Sequence, residues 1–263
     1  MKNRWTGNWI GNWISLQALA EREIKRIFRV WTQTIIPPII TAVLFIVIFG
    51  YSLGSRVTEV QGVSYLEFII PGLLMMGVIM SAYANTSFSL FIARFHNMHQ
   101  EWLSAPITYW QIIISLTIGG LVRGFVVGIL ILAVSLLATT ITIYSIATLL
   151  FFIIMASLLF SFAGILTALW ATNFDKLNVF TTFLITPLTY LGGVFYSTTM
   201  LPPFWATVAK FNPILYIIDG FRFGFIGLTD VPLWTSIIIL SVLTLISFAV
   251  CVHLFKKGYH LKS

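Results

Sequence analysis

The sequence predicts an all-α integral membrane protein with six transmembrane helices, an N-terminal amphipathic interfacial helix, and short re-entrant helices between spans five and six. Three observations carry that prediction. The 263 residues are 59% hydrophobic and only 9% charged, whereas a soluble domain carries about a quarter charged residues. The apolar residues fall into long uncharged runs. One apolar and aromatic stretch, residues 192–222, is interrupted by Gly192-Gly193, Pro202-Pro203 and Pro213. Internal proline removes backbone hydrogen bonds, so a straight spanning helix does not hold that pattern. A watery loop does not normally carry Phe195, Leu201, Phe204, Trp205, Phe211 and Ile214 to Ile218. A pair of short helices dipping into one membrane face and returning satisfies both conditions, provided protein or water meets their polar backbone.

The chain begins with a polar arm through Lys2, Arg4, Asn8 and Asn12 that lacks the continuous apolar core of a cleavable signal peptide. From residue 13 to 32, Trp13, Leu16, Ala20, Ile24, Ile27 and Trp31 recur at helical steps. Glu21, Arg22, Glu23, Lys25, Arg26 and Arg29 fill the opposite face. This predicts a helix lying in the membrane interface. It serves either as a basic anchor or as a lead into the first span that touches a cytoplasmic partner.

The uncharged runs place the spans at Ile35 to Leu53, Phe68 to Ala93, Tyr109 to about Leu137, Tyr144 to Ala171, Leu177 to Tyr196 and Pro232 to Phe255. A spanning helix needs about 20 apolar residues, so the length is filled by one domain. It is read as an arm and amphipathic helix over 1–34, a bundle over 35–255 and a tail over 256–263. An even number of spans puts both termini on one side. That side then holds Lys2, Arg4, Arg22, Lys25, Arg26, Arg29, Arg94, Lys176, Lys256, Lys257 and Lys262, against Arg56, Lys210 and Arg222 opposite. The bias makes both termini cytoplasmic and explains the +7 net charge by membrane orientation rather than nucleic acid. Cys251 is the single cysteine, which leaves no intramolecular disulfide and no cysteine cluster.

Between the second and third spans, residues 93–110 are polar and then present Trp102, Leu103 and Ile107, with Pro106 ending any short helix. They form either a plain connection or a surface helix that inserts into a groove of another protein. His96, His99 and Glu101 lack the His-Glu-x-x-His order, and no metal site is assigned. Arg123 is the basic residue deep in a span. Counting about 21 Å from Tyr109 along a helix axis puts it beyond the midplane, toward the outer leaflet. Snorkelling, a structural partner or contact with an anionic substrate group are its open readings. Asp219 and Arg222, three apart, are expected to pair on one short helix. Asn85 is expected to hydrogen-bond between helices, and Gly119, Gly120, Gly124 and Gly128 to permit close helix approach.

These residues resemble the ABC-2 family of transporter permeases, in particular its bacterial YadH-like and drug-resistance-type branch. Gln100 to Pro106 (QEWLSAP) is similar to the family's coupling helix, with Trp102 where a leucine is common and His96-Asn97-Met98-His99 in place of the usual Arg-Gly-Thr-like lead-in. Gly193-Val194-Phe195-Tyr196 followed by Leu201-Pro202-Pro203 resembles the signature before the family's outer re-entrant helices. Phe211-Asn212-Pro213 with Asp219-Gly220-Phe221-Arg222 resembles the segment after it. Their order and spacing carry the likeness over nearly the whole chain.

The resemblance implies a type-2 ABC exporter fold and a permease subunit, not an enzyme. Two permeases pair as a homodimer, and each docks on a cytoplasmic ABC ATPase in a bacterial inner membrane. Glu101, Trp102, Leu103 and Pro106 are then the ATPase-coupling residues. Gly193, Phe195, Pro202, Pro203, Asn212, Pro213, Asp219 and Arg222 form the re-entrant segment, and Arg123 is a candidate for the substrate path. The chain has no Gly-x-x-x-x-Gly-Lys-Ser/Thr phosphate loop. It therefore binds no cofactor on this reading, and ATP and magnesium belong to the partner. An amphipathic, lipid-like, drug or polymeric substrate moves outward. Two other classes compete: a membrane-embedded lipid-modifying enzyme, against which the eight acids are scattered, and a stand-alone ion-coupled carrier, which would hold charges and broken helices near the midplane.

Overall fold

In the computed structural model, residues 9–53, 59–98, 107–139 and 143–258 are described. Among the described residues the regular elements are helices, apart from one two-stranded hairpin. Helix α1 (Trp9–Arg29) leads through α2 (Trp31–Thr34) into α3 (Ile36–Phe45), which continues as a π-helical segment, Ile46–Leu53. Prolines at the start of α3 occupy positions where their missing N–H is not needed. The hairpin pairs β1 (Glu59–Val60) with β2 (Val63–Ser64). Its turn residues Gln61 and Gly62 both have positive φ, 53° and 83°, as tight two-residue hairpin turns require.

Three long helices follow: α4 (Tyr65–Phe95), α5 (Tyr109–Ala138) and α6 (Ile146–Trp170). Each begins where a side chain meets the first free N–H groups. Ser64 accepts from the Glu67 amide, Thr108 and Gln111 form a capping box, and Ser145 accepts from the Thr148 amide. The remaining elements are α7 (Phe174–Phe180), a π-helical segment Thr181–Ile185, α8 (Thr186–Tyr190), a 3₁₀ turn Thr198–Met200, α9 (Pro203–Lys210), α10 (Pro213–Ile226) and α11 (Leu233–Lys257).

Among the described residues, five helical stretches are long and apolar enough to cross a membrane: Trp31–Gly50, α4, α5, α6 and α11. The expected fifth span differs. It runs as three consecutive pieces of 7, 5 and 5 residues from Phe174 to Tyr190. It stops at the Gly192-Gly193 turn rather than at Tyr196, because Gly193 takes up φ +80° there.

Helix α4 is the axis of the molecule. Of its most apolar stretch 83% is buried inside protein, against 17% for the first and last spans. A helix buried nearly all round is largely apolar, and α4 is, with Ser81, Asn85, Thr86, Ser87 and Ser89 as buried polar exceptions. One core cluster joins α3, α4, α6 and α10 through Ala42, Phe68, Tyr83, Phe152, Phe221 and Phe225. A second, at the end that carries α1, joins Leu19, Leu90, Phe91, Ile113, Leu169, Cys251 and Phe255. Small residues set the spacing. Gly119 faces Asn85 and Glu23, Gly120 faces Ser161, and Gly124 and Gly128 face Val78. The glycine stripe of the third span is thus spent on packing within the chain.

Helix α4 also passes the backbone of the broken stretch at close range. A Cβ on Gly72 would lie 2.7 Å from the Val194 carbonyl oxygen and 2.8 Å from Val194 Cα. Backbone atoms there do not rotate aside. Gly72→Ala is therefore expected to destabilise the protein by about 1–3 kcal/mol. Gly128→Ala, which meets a valine methyl at 3.1 Å, is expected to cost less. Thermal unfolding of the two variants in one detergent checks the order.

Candidate functional site: a proline-broken segment and a buried ionic junction

The proline-broken stretch is neither a free loop nor a continuous crossing. Pro203 opens α9 and Pro213 opens α10. Between them Asn212 caps α10 by accepting from the Ile214 amide at 3.0 Å, while its Nδ2 donates to the Leu188 carbonyl at 2.6 Å. The Tyr216 hydroxyl donates to the Lys210 carbonyl at 2.7 Å and closes the bend. Helix α10 is almost wholly buried. Helix α9 turns Phe204, Trp205 and the following Phe211 outward, Phe211 being 85% exposed. Phe195 stacks on Phe49 with ring centroids 4.6 Å apart, and its carbonyl accepts from the Tyr65 hydroxyl at 3.2 Å.

Asp219 and Arg222 do not form the expected pair: the described residues show no ion pair between them. Each serves a different piece of backbone. Arg222, 2% exposed, donates to the Gly193 carbonyl at 2.6 Å and to the Phe68 carbonyl at 3.4 Å. Its guanidinium lies 3.9 Å from the Phe68 ring centroid. Asp219 accepts from the Thr229 hydroxyl at 2.6 Å and from the amides of Asp230 and Val231 at 2.8 and 3.0 Å. The helical spacing that would join the two side chains loses to backbone groups left open by the Gly193 turn and the 229–231 loop, which must be satisfied when buried.

Asp230 was not singled out in the sequence. It accepts from the Ser197 hydroxyl at 2.7 Å, the Thr198 amide at 2.7 Å, the Thr198 hydroxyl at 3.0 Å and Gln61 Nε2 at 2.7 Å. One carboxylate thereby ties the hairpin, the stretch before α9 and the loop before α11. Burial alone would raise its pKa, but these hydrogen bonds outweigh burial and hold it below the ordinary 3.8. A depressed folded-state pKa means stability that is present above the ordinary value and lost as pH falls through it.

At the opposite end, α1 is more than an interfacial helix. It starts at Trp9, earlier than the apolar periodicity indicates. Glu23, assigned to the solvent face in the sequence, is 1% exposed. It pairs with Arg22 at 2.8 Å and Arg26 at 3.0 Å, and accepts from the Ser89 hydroxyl of α4 at 2.7 Å. Arg26 Nη2 donates to both the backbone and the side-chain oxygen of Asn85, at 3.1 and 3.0 Å. Asn85 is the interhelical polar group expected. Trp13 and Trp31 instead stay 67% and 52% exposed. Periodicity alone did not reveal this inversion, because Glu23 and Arg26 are apolar-face residues only by virtue of each other. A cavity of about 420 Å³ lies beside this junction, between α1 and the end of α4. Arg94 donates to the Leu169 carbonyl at 3.0 Å and caps the end of α6.

Arg123 is placed differently from the sequence expectation. Its Nη2 donates to the Thr34 carbonyl at 3.0 Å, at the start of the first span and one turn past Gly119, which abuts Glu23. Helix α5 has 30 residues and is about 45 Å long, longer than the roughly 30 Å hydrocarbon core. Counting depth from Tyr109 therefore overstates it. Glu101, Trp102, Leu103 and Pro106, expected from the resemblance to couple to an ATPase, lie outside the described residues.

Removing Glu23 leaves the partly exposed Arg26 guanidinium and the buried Ser89 hydroxyl without their shared acceptor. Glu23→Ala is expected to cost about 1 kcal/mol or more, whereas Glu23→Leu combined with Arg26→Met should lie closer to wild type, as a double-mutant cycle by thermal unfolding would read. Asp230→Asn should be less stable than wild type at neutral pH, and the gap should close as pH falls below 3.8. Melting curves across that range check the sign.

With this geometry in view, similarity to known proteins is informative. The ABC-2 type transporter family model matches residues 14–226. The chain is 44% identical over 249 residues to the inner membrane transport permease YadH of Escherichia coli (strain K12), covering 95% of this chain and 97% of that protein. It is also 25% identical over 228 residues to nodulation protein J of Rhizobium leguminosarum bv. viciae, covering 82% and 83% of the two chains. The apolar helical bundle, the broken stretch and the extent of these matches agree: this chain belongs to the ABC-2 type transporter family.

Proposed function

We propose that the chain is the permease subunit of an ATP-driven exporter in a bacterial inner membrane, with both termini cytoplasmic and 1–263 forming one membrane domain. The observation that carries this reading is α10, a short apolar helix buried beside a proline-broken segment at the end of the bundle opposite α1. With Phe174 to Tyr190 taken as the fifth of six crossings, α9 and α10 become re-entrant helices at the outer face, and α11 returns the chain to the inside. The lysines and arginines at both ends support that orientation. Two permeases then pair as a homodimer around a path for an amphipathic, lipid-like, drug or polymeric substrate.

Work must come from outside the chain, which lacks a phosphate-binding loop. The partner is a cytoplasmic ABC ATPase that holds ATP and magnesium. Glu101 and Trp102 meet it, with Leu103 and Pro106 beside them in the sequence, and transmit its stroke. The buried junction of Glu23, Arg26, Asn85 and Ser89 supports the mechanical side of this reading. It fastens α1 to α4, and α4 touches both ends of the bundle.

Affinity purification of the tagged chain from its own membranes is expected to bring down a P-loop ATPase. Glu101→Ala with Trp102→Ala should lower transport-coupled ATP hydrolysis about tenfold or more, by removing an anchoring aromatic and an acid together. Unchanged hydrolysis in the double variant would reject the coupling assignment.

A further inference from the structure

A second cavity, of about 320 Å³, opens between the first span, α4 and α5. Its walls are apolar, with Pro37, Phe45 and Met76 among them. Its polar side chains are Gln33, Thr41, Ser81, Arg123 and Thr181. Two of these hold buried atoms with no hydrogen-bond partner among the described residues, Arg123 Nε and Ser81 Oγ. Native proteins seldom leave such atoms unmet, and each asks for an explanation.

The charge of Arg123 is also unbalanced. Among the described residues no carboxylate lies within ion-pair distance of it. Glu23, the acid of the neighbouring junction, is already committed to Arg22, Arg26 and Ser89. A lone guanidinium at membrane depth is costly. An oxyanion that accepts from Nε and from Ser81 Oγ would offset that cost through charge-assisted hydrogen bonds. The apolar walls fit hydrocarbon rather than a sugar or a bare ion. The first span, which forms one wall, exposes Ile40 and Leu44 on its outer side, so bilayer rather than water adjoins the cavity.

We infer that this cavity is a binding site for an anionic glycerophospholipid drawn sideways from the bilayer, with its phosphate against Arg123 and Ser81 and its chains along the prolines and Phe45. The inference rests on the membrane setting and is independent of the export direction and of the ATPase. The site holds an anionic lipid whether that lipid is cargo or a fixed component.

Purified protein in neutral detergent would be titrated with short-chain phosphatidylglycerol, with phosphatidylcholine of the same chains, and with inorganic phosphate. Thermal unfolding and retained lipid in native mass spectrometry are the readouts. Phosphatidylglycerol should stabilise the wild type and bind roughly tenfold or more weakly to Arg123→Gln. Phosphatidylcholine and inorganic phosphate should do neither. An equal response in Arg123→Gln, an equal effect of phosphatidylcholine, or full reproduction by inorganic phosphate would overturn the assignment. Should Arg123→Gln not fold, Ala84→Phe fills the same cavity with Arg123 left in place. It should lose the phosphatidylglycerol response, and retention of the full response would overturn the site. No ATPase enters the measurement, so its failure is separable from failure of the exporter reading.

Discussion

Backbone that leaves a helix inside hydrocarbon has no water to turn to, and the organisation of this protein follows from how it meets that condition. Between Tyr190 and Leu233 the chain bends repeatedly, and at each bend a side chain supplies what the helix gave up. Arg222 takes the Gly193 carbonyl, Asn212 takes Leu188, Tyr216 takes Lys210, and Asp219 takes the amides of Asp230 and Val231. The bonds of Arg222 and Asp219 involve charged groups, the stronger kind. They sit in a buried setting where an unmet partner is most costly. The segment is irregular in path yet tied at these bends.

The two ends of the bundle use the same device with different partners. At one end the Asp230 carboxylate joins three loops that are far apart in the chain. At the other, Glu23 and Arg26 join α1 to α4. Buried ion pairs add little net stability compared with apolar packing of equal volume. Their effect here is to specify position, since Arg26 reads both oxygens of Asn85. Helix α4 runs between these two junctions and is packed on every side, with glycines where neighbours come closest. A displacement of α1 therefore has a rigid element to act on, and that element passes directly against Val194 in the broken segment.

Arg123 shows how the same chemistry yields a site instead of a tie. Only part of its guanidinium is used, on the Thr34 carbonyl. The remainder faces a cavity with apolar walls, where an anion is favoured by charge and a hydrocarbon chain by burial.

Much of this was legible in one dimension. Hydropathy is additive along the chain, so the membrane setting, four of the long spans and the return helix at the C-terminus follow from composition and run length alone. Proline and glycine act locally on the backbone, so Gly193, Pro202, Pro203, Asn212 and Pro213 marked the breaks and caps where they occur. Periodicity gave α1 as a helix, and Asn85 its role as an interhelical group. What only the tertiary structure decided is the choice of partner. Glu23 is held by Ser89 across 66 residues, and its partner Arg26 by Asn85 across 59. Arg222 turns from Asp219 to Phe68 across 154 residues, and Gln61 reaches Asp230 across 169. Spacing along a helix says which side chains are able to meet. Which of them do meet is set by the backbone groups left unsatisfied when distant segments are brought together, and that is a property of the packed chain alone.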